Sequence, residues 1–217
     1  MVSKGDKKET IDNLYESYLS LQYSELYVPD ISNCKSNSDV EVVVLVESPA
    51  KEEINHKPKP LPLVGDSGKS MSKILFGFDI SQPFGEIIQN EKTQLKNLRV
   101  CKLNLAIVNV CNVPLQAVET KGNSFPKQYS SDLESIRVNP KVITKLLDNL
   151  GCKLRQNSNA NTIIVCGAFA EKYFNALDED IKAGYSKQLY PPHPSMNQWG
   201  EYNKRAADFL TMRELFK

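Results

Sequence analysis

Between Glu41 and Glu47 the chain carries an unbroken apolar run, Val42-Val43-Val44-Leu45-Val46. Strand side chains alternate between the two faces of a sheet, so apolar residues at every position mean that both faces are covered. The β-branched valines suit a strand better than a helix. The run therefore predicts a central parallel strand with helices packed on each side of it. It stops at Glu47-Ser48-Pro49-Ala50, a polar loop at the strand's carboxyl end.

Three further segments repeat the pattern: Leu103 to Val110, Thr162 to Cys166 and, more weakly, Tyr185 to Tyr190. Helical signals fall between them. Gly65-Asp66-Ser67-Gly68 opens a helix through Phe76, Asn139-Pro140 is a favourable helix start, and Gly151 is a candidate end. Gly167-Ala168 turns the third strand into a helix reaching Ala176, and Ala206, Phe209, Leu210 and Phe216 predict a closing helix. Ile11, Leu14, Tyr15, Tyr18 and Leu21 recur at helical spacing, which predicts an amphipathic helix over 8–26. A polar connector, Pro29 to Asp39, follows it, and residues 115–135 read as an irregular excursion. The expected fold is a three-layer α/β/α sandwich around a central, mostly parallel four-stranded sheet. Residues 1–217 read as a single domain, with 1–39 a helical preface and 40–217 the α/β core.

Composition excludes several classes. A formal charge of +1 and a pI near 7.6 neither demand nor exclude a nucleic-acid partner. No apolar run approaches the roughly 20 residues of a membrane span, and the polar first ten residues hold no apolar signal region. The five cysteines are scattered without a C-x-x-C pair, and the two histidines form no zinc-ligand cluster. The expectation is a cytoplasmic monomer with no metal and no other cofactor.

In parallel folds of this kind, ligands bind beyond the carboxyl ends of the strands. Those ends carry Glu47-Ser48-Pro49, Asn109 and the Pro191-Pro192-His193-Pro194-Ser195 loop. A second string, Gly65-Asp66-Ser67-Gly68-Lys69-Ser70, invites a phosphate-loop reading. The full pattern needs a glycine where Leu63 stands and should follow its strand at once, whereas about twenty residues intervene here.

Five of these segments together resemble the uracil-DNA glycosylase superfamily. Glu47-Ser48-Pro49-Ala50 is similar to its first motif, and Pro62-Leu63-Val64-Gly65-Asp66-Ser67-Gly68-Lys69 to its second. Val108-Asn109-Val110 with Pro114 is similar to the strand end whose Asn reads the base. Val165 to Ala170 resembles a supporting motif, and His193-Pro194-Ser195 matches the last. The nearest pattern is the bacterial and archaeal branch that usually carries an iron–sulfur cluster, but that branch's cysteine pattern is missing. Leu63 stands where the family places a base-stacking aromatic, and Val46 where it places a glycine.

The resemblance implies an enzyme that flips uracil, or a related deaminated base, out of single- or double-stranded DNA and hydrolyses its N-glycosidic bond. Asn109 would read the base with a donor and an acceptor side by side. His193 would donate to the departing base, and Glu47 would orient water or stabilise the cationic sugar. Ser48, Leu63 and Asp66 would complete the base pocket. Ser67, Gly68 and Ser195 would contact DNA phosphates, and Met196 or Trp199 would wedge into the duplex. The alternative is a non-catalytic relative that binds nucleic acid or a nucleotide in the same fold.

Overall fold

The computed structural model describes residues 26–77, 80–89, 103–115, 118–120, 123–125, 138–195, 198–199 and 207–216. The N-terminal helix expected over 8–26 lies outside them, save for its last residue.

Five strands form one mixed sheet: β1 (Ile31–Ser32), β2 (Val42–Val46), β3 (Leu105–Asn109), β6 (Thr162–Val165) and β7 (Lys187–Leu189). Their order is β1-β3-β2-β6-β7. The last four run parallel, and β1 pairs antiparallel to β3. A separate antiparallel pair, β4 (Val118–Thr120) and β5 (Asn123–Phe125), lies in the segment expected to be irregular. The four expected parallel strands are all present, so the correction is an added fifth. Ile31 comes from the polar connector and fills the open edge of β3 by pairing with Ile107.

Helices cover both faces. On one, the odd positions of β6 and β2 with the even ones of β3 (Ile163, Val43, Ala106, Val108) meet α4 (Pro140–Gln156), α5 (Gly167–Asn175) and α6 (Glu179–Ala183). On the other, Val42, Val44, Val46, Leu105 and Ile107 meet α2 (Asp66–Phe76), α3 (Phe84–Gln89) and α7 (Ala207–Leu215). A short helix, α1 (Lys51–Ile54), follows the loop after β2. The strict alternation of β2 between the two clusters is why every residue of it is buried.

Two helices depart from expectation. α4 does not stop at Gly151 but continues to Gln156, because Leu154 gives it another buried turn and Gly151 lies where Leu177 and Ile181 approach. In α7, Phe209 and Met212 form the buried face, continued by Phe216 just past its end, while Leu210 is exposed.

Candidate active site

The chain passes from β2 to β3 on one side and later to β6 on the other side of β2, so the strand order reverses between β2 and β6. A crevice at such a reversal is the usual ligand site in a parallel sheet. Three loops meet at this rim. The parallel ladder extends past the strands, with Val110 and Cys111 N–H donating to Val46 and Glu47 carbonyls at 2.9 and 3.1 Å. That places Glu47 beside the end of β3. Cys166 N–H donates to Leu45 O at 2.9 Å and Gly167 N–H to Pro191 O at 2.9 Å, which brings the His193 loop onto the β6–α5 turn. Gly167 has φ +89°, and a Cβ there would lie 2.8 Å from His193 Cβ. Only glycine tolerates both the conformation and the approach.

Asn109 closes β3 on the same face as Leu105 and Ile107, directly opposite Val46. Its main chain is doubly held. Its N–H donates to Asp30 Oδ1 at 2.9 Å, and its carbonyl accepts from Lys153 Nζ at 2.7 Å. Lys153 also pairs with Asp30 Oδ2 at 3.1 Å and donates to Asn112 Oδ1. Asn112 Nδ2 in turn donates to Asp30 Oδ1 and Val28 O, both at 2.8 Å. The carboxamide of Asn109 is treated differently: fully buried, it has no hydrogen-bond partner among the described residues on either Oδ1 or Nδ2. Leaving one such group unsatisfied costs about 1–3 kcal/mol. The fold thus fixes the backbone of Asn109 and keeps its donor and acceptor unused.

His193 is half-buried between Pro192 and the buried Pro194. The Ser195 N–H donates to its Nδ1 at 3.2 Å, with Ser195 Oγ 2.8 Å from the same nitrogen. A nitrogen that accepts an N–H carries no proton, so the neutral ring holds its proton on Nε2. Burial lowers the histidine's pKa and favours that neutral form. Behind the loop, Trp199 Nε1 donates to Pro192 O at 2.7 Å, and its indole packs edge-on against Phe209. Trp199 is fully buried, so it braces the histidine loop and is not a wedge. Met196 lies outside the described residues.

The second segment is clamped hard. Leu63 is buried at φ +55° and belongs to the same apolar cluster as Val46 and Cys166. Its carbonyl accepts from Gly85 N–H at 3.0 Å, and a Cβ on Gly68 would sit 1.7 Å from that carbonyl oxygen. Gly68 therefore lets α2 dock against this turn. The helix begins at Asp66, ahead of Gly68 rather than after it, with Ser67 half-buried in its first turn. Asp66 points outward at 98% side-chain exposure and pairs with Lys69 at 3.2 Å, so the structure does not bring it to Asn109. Ser48 Oγ accepts from Leu115 N–H at 3.3 Å, tying the loop after β2 to the loop after β3. Ser195 is likewise engaged, on the imidazole.

Sequence reasoning missed Asp30, Asn112 and Lys153, which the fold gathers from distant parts of the chain. It also missed Glu53, which is buried and accepts from the Ala50 and Leu63 N–H groups. One signal for Glu53 was present, since a glutamate three residues after a helix-capping position reaches back to that residue's N–H.

A cavity of about 220 Å³ opens near Tyr27, Cys111, Lys145 and Lys153. Its buried polar groups are saturated, because Lys153 uses three hydrogens and Asn112 two within the Asp30 network. The Asn109 rim, with unused groups, is the better site. Of the cysteines, Cys101 lies outside the described residues, and burial pushes the Cys111 and Cys166 thiols up to about 11 and about 12. Cys34, two residues past β1, and Cys152, in α4, are free. Among the described residues no group of three or more His, Cys, Asp or Glu can hold a metal, and no helix is long and apolar enough to cross a membrane.

Compared with known proteins, the chain matches no family model and no curated sequence.

Proposed function

We propose that this protein is a DNA glycosylase of the uracil-DNA glycosylase type, working in the cytoplasm as a monomer without metal or cluster. One observation carries the reading: a fully buried carboxamide with both atoms unpartnered among the described residues, at the carboxyl end of β3 beside β2, on a backbone locked from two sides. A base edge that offers an acceptor beside a donor, as uracil O4 and N3–H do, satisfies both atoms at once. The gain is confined to a ligand of that pattern.

The chemistry follows from the neighbours. The C1′–N1 bond breaks, its electron pair passes to the base, and water adds its hydroxyl to C1′ while its remaining proton neutralises the uracil anion. His193, with its proton on Nε2, donates to uracil O2 as negative charge builds there. A preorganised donor of this kind is worth about 3 kcal/mol in the transition state. Glu47, on the adjoining loop, opposes the positive charge on the sugar and orients the water. Entry of a base requires the packing around Asn109 to open, because the carboxamide is sealed.

A second reading rests on that seal. Val46 and Leu63 are both buried in the layer that Asn109 faces, which favours a non-catalytic protein binding nucleic acid or a nucleotide. Oligonucleotides containing uracil, hypoxanthine, xanthine or a G·T mismatch, incubated without added metal, separate the two. Release of uracil from single-stranded or U·G DNA is expected. Intact oligonucleotides at stoichiometric protein, with binding retained, would select the second reading.

A further inference from the structure

We infer that Glu53 is a positioning residue whose buried carboxyl clamps the Glu47 loop to the Leu63 segment, and that the clamp loosens when the carboxyl ionises. Glu53 lies in α1 and is 7% exposed. Its Oε2 accepts from Ala50 N–H at 2.9 Å, at the end of the loop that follows β2. Its Oε1 accepts from Leu63 N–H at 2.6 Å, thirteen residues further along the chain from Ala50. Its own carbonyl accepts from Leu61 N–H at 3.1 Å. One side chain thus holds both segments that flank the Asn109 face, and it fixes Leu63 in a left-handed conformation that a leucine rarely adopts.

Two backbone donors fill only part of a carboxylate's capacity for hydrogen bonds, and no cation pairs with Glu53 among the described residues. The ionised form is therefore poorly solvated where it sits. Burial, the largest influence, raises the group to about 7; the two N–H bonds oppose the rise, and the neighbouring charge of Glu52 adds to it. Close by in the chain, the His56 ring lies 3.2 Å from a carboxylate oxygen of Glu86 in α3 and 3.0 Å from the Lys59 carbonyl, and Lys51, Lys57 and Lys59 are the cations nearest in sequence. What α2 and α3 bring against the Pro62–Leu63 carbonyls is uncharged, Gly68 and Gly85. A carboxyl whose pKa is higher closed than open favours the closed state while protonated. That preference is full below the ordinary value of 4.5 and is lost as pH rises through about 7.

The clamp itself stands on geometry; that it guards a base pocket rests on the proposed function. Amide exchange of the full chain, read by NMR as protection factors corrected for intrinsic rates, tests it without any substrate. In the native chain, protection at Ala50 and Leu63 should fall between pH 6 and pH 8, while Leu150 in α4 stays unchanged. Glu53→Ala should lower protection at both loop amides by about 3- to 10-fold, as expected for losing a hydrogen bond to a neutral acceptor. Glu53→Gln, which cannot ionise, should abolish the pH dependence. Unchanged loop protection in Glu53→Ala, an equal fall at Leu150, or a pH dependence that survives in Glu53→Gln would each overturn the inference. A chain that excises no uracil yet shows these shifts would sink the glycosylase reading and leave the clamp standing.

Discussion

At the scale of single residues, His193 and Asn109 are held by opposite strategies. Asn109 has every main-chain bond made and every side-chain bond unmade, whereas the ring of His193 is set by bonds to one of its nitrogens and left with the other as donor. His193→Ala should lower uracil turnover by about 100-fold or more with DNA affinity nearly intact, because the lost donor acts on charge present mainly in the transition state. A matching loss of affinity would make the histidine structural. The pH dependence has a definite sign. Burial depresses the imidazole below its ordinary 6.5, so the neutral ring persists above that value and is lost as pH falls through the lower folded one. The profile of kcat/KM should therefore lose activity on the acid side at a pH below 6.5 through one protonation. An acid limb centred above 6.5 would contradict the depression of the imidazole by burial.

At the scale of elements, the turn through Leu63 packs in the layer that Asn109 faces. From sequence, an aromatic in place of Leu63 is expected to stack on a flipped base, by about 1–3 kcal/mol. The structure adds a countervailing fact: Leu63 already fills a packed cluster with Val46 and Cys166, at φ +55°. Leu63→Phe should thus destabilise the fold by about 1–3 kcal/mol in urea unfolding. Val46→Gly alongside it should recover part of the loss, with coupling of about 0.5 kcal/mol or more. Strictly additive effects would mean that the two do not share a space. This element also shows what the sequence hides. The helix from Asp66 to Phe76 was legible from its glycines, but Gly68 read as a phosphate contact when its lack of a side chain serves docking onto Leu63 O. Asp66 and Lys69 stand three residues apart on a helix, so their pairing was available from spacing and outweighed any role in the pocket.

At the scale of the molecule, apolar strands were the readable part. The runs around Val44, Ile107 and Ile164 are apolar on both faces, and the structure makes them the three adjacent central strands. The edge strand at Ile31 was not readable, since a two-residue pairing leaves no periodicity, and its polar surroundings look like any connector. The same holds for Asp30, Asn112 and Lys153, each ordinary in its own segment and significant only where β1, β3 and α4 converge. Trp199 looked like an exposed wedge because sequence gives no view of Phe209 and Pro192, which enclose it. The proposed function turns most centrally on Asn109 receiving a base. Single-turnover release of uracil and of cytosine from single-stranded oligonucleotides, by the native chain and its Asn109 variants, tests this most directly. The native chain should release uracil and spare cytosine. Asn109→Ala should be slower by about 100-fold, as for loss of one well-placed polar contact, and Asn109→Asp, without an amide donor, should narrow the gap between the two bases. Uracil release by Asn109→Ala at the native rate, or none by the native chain with the oligonucleotide bound, would contradict it.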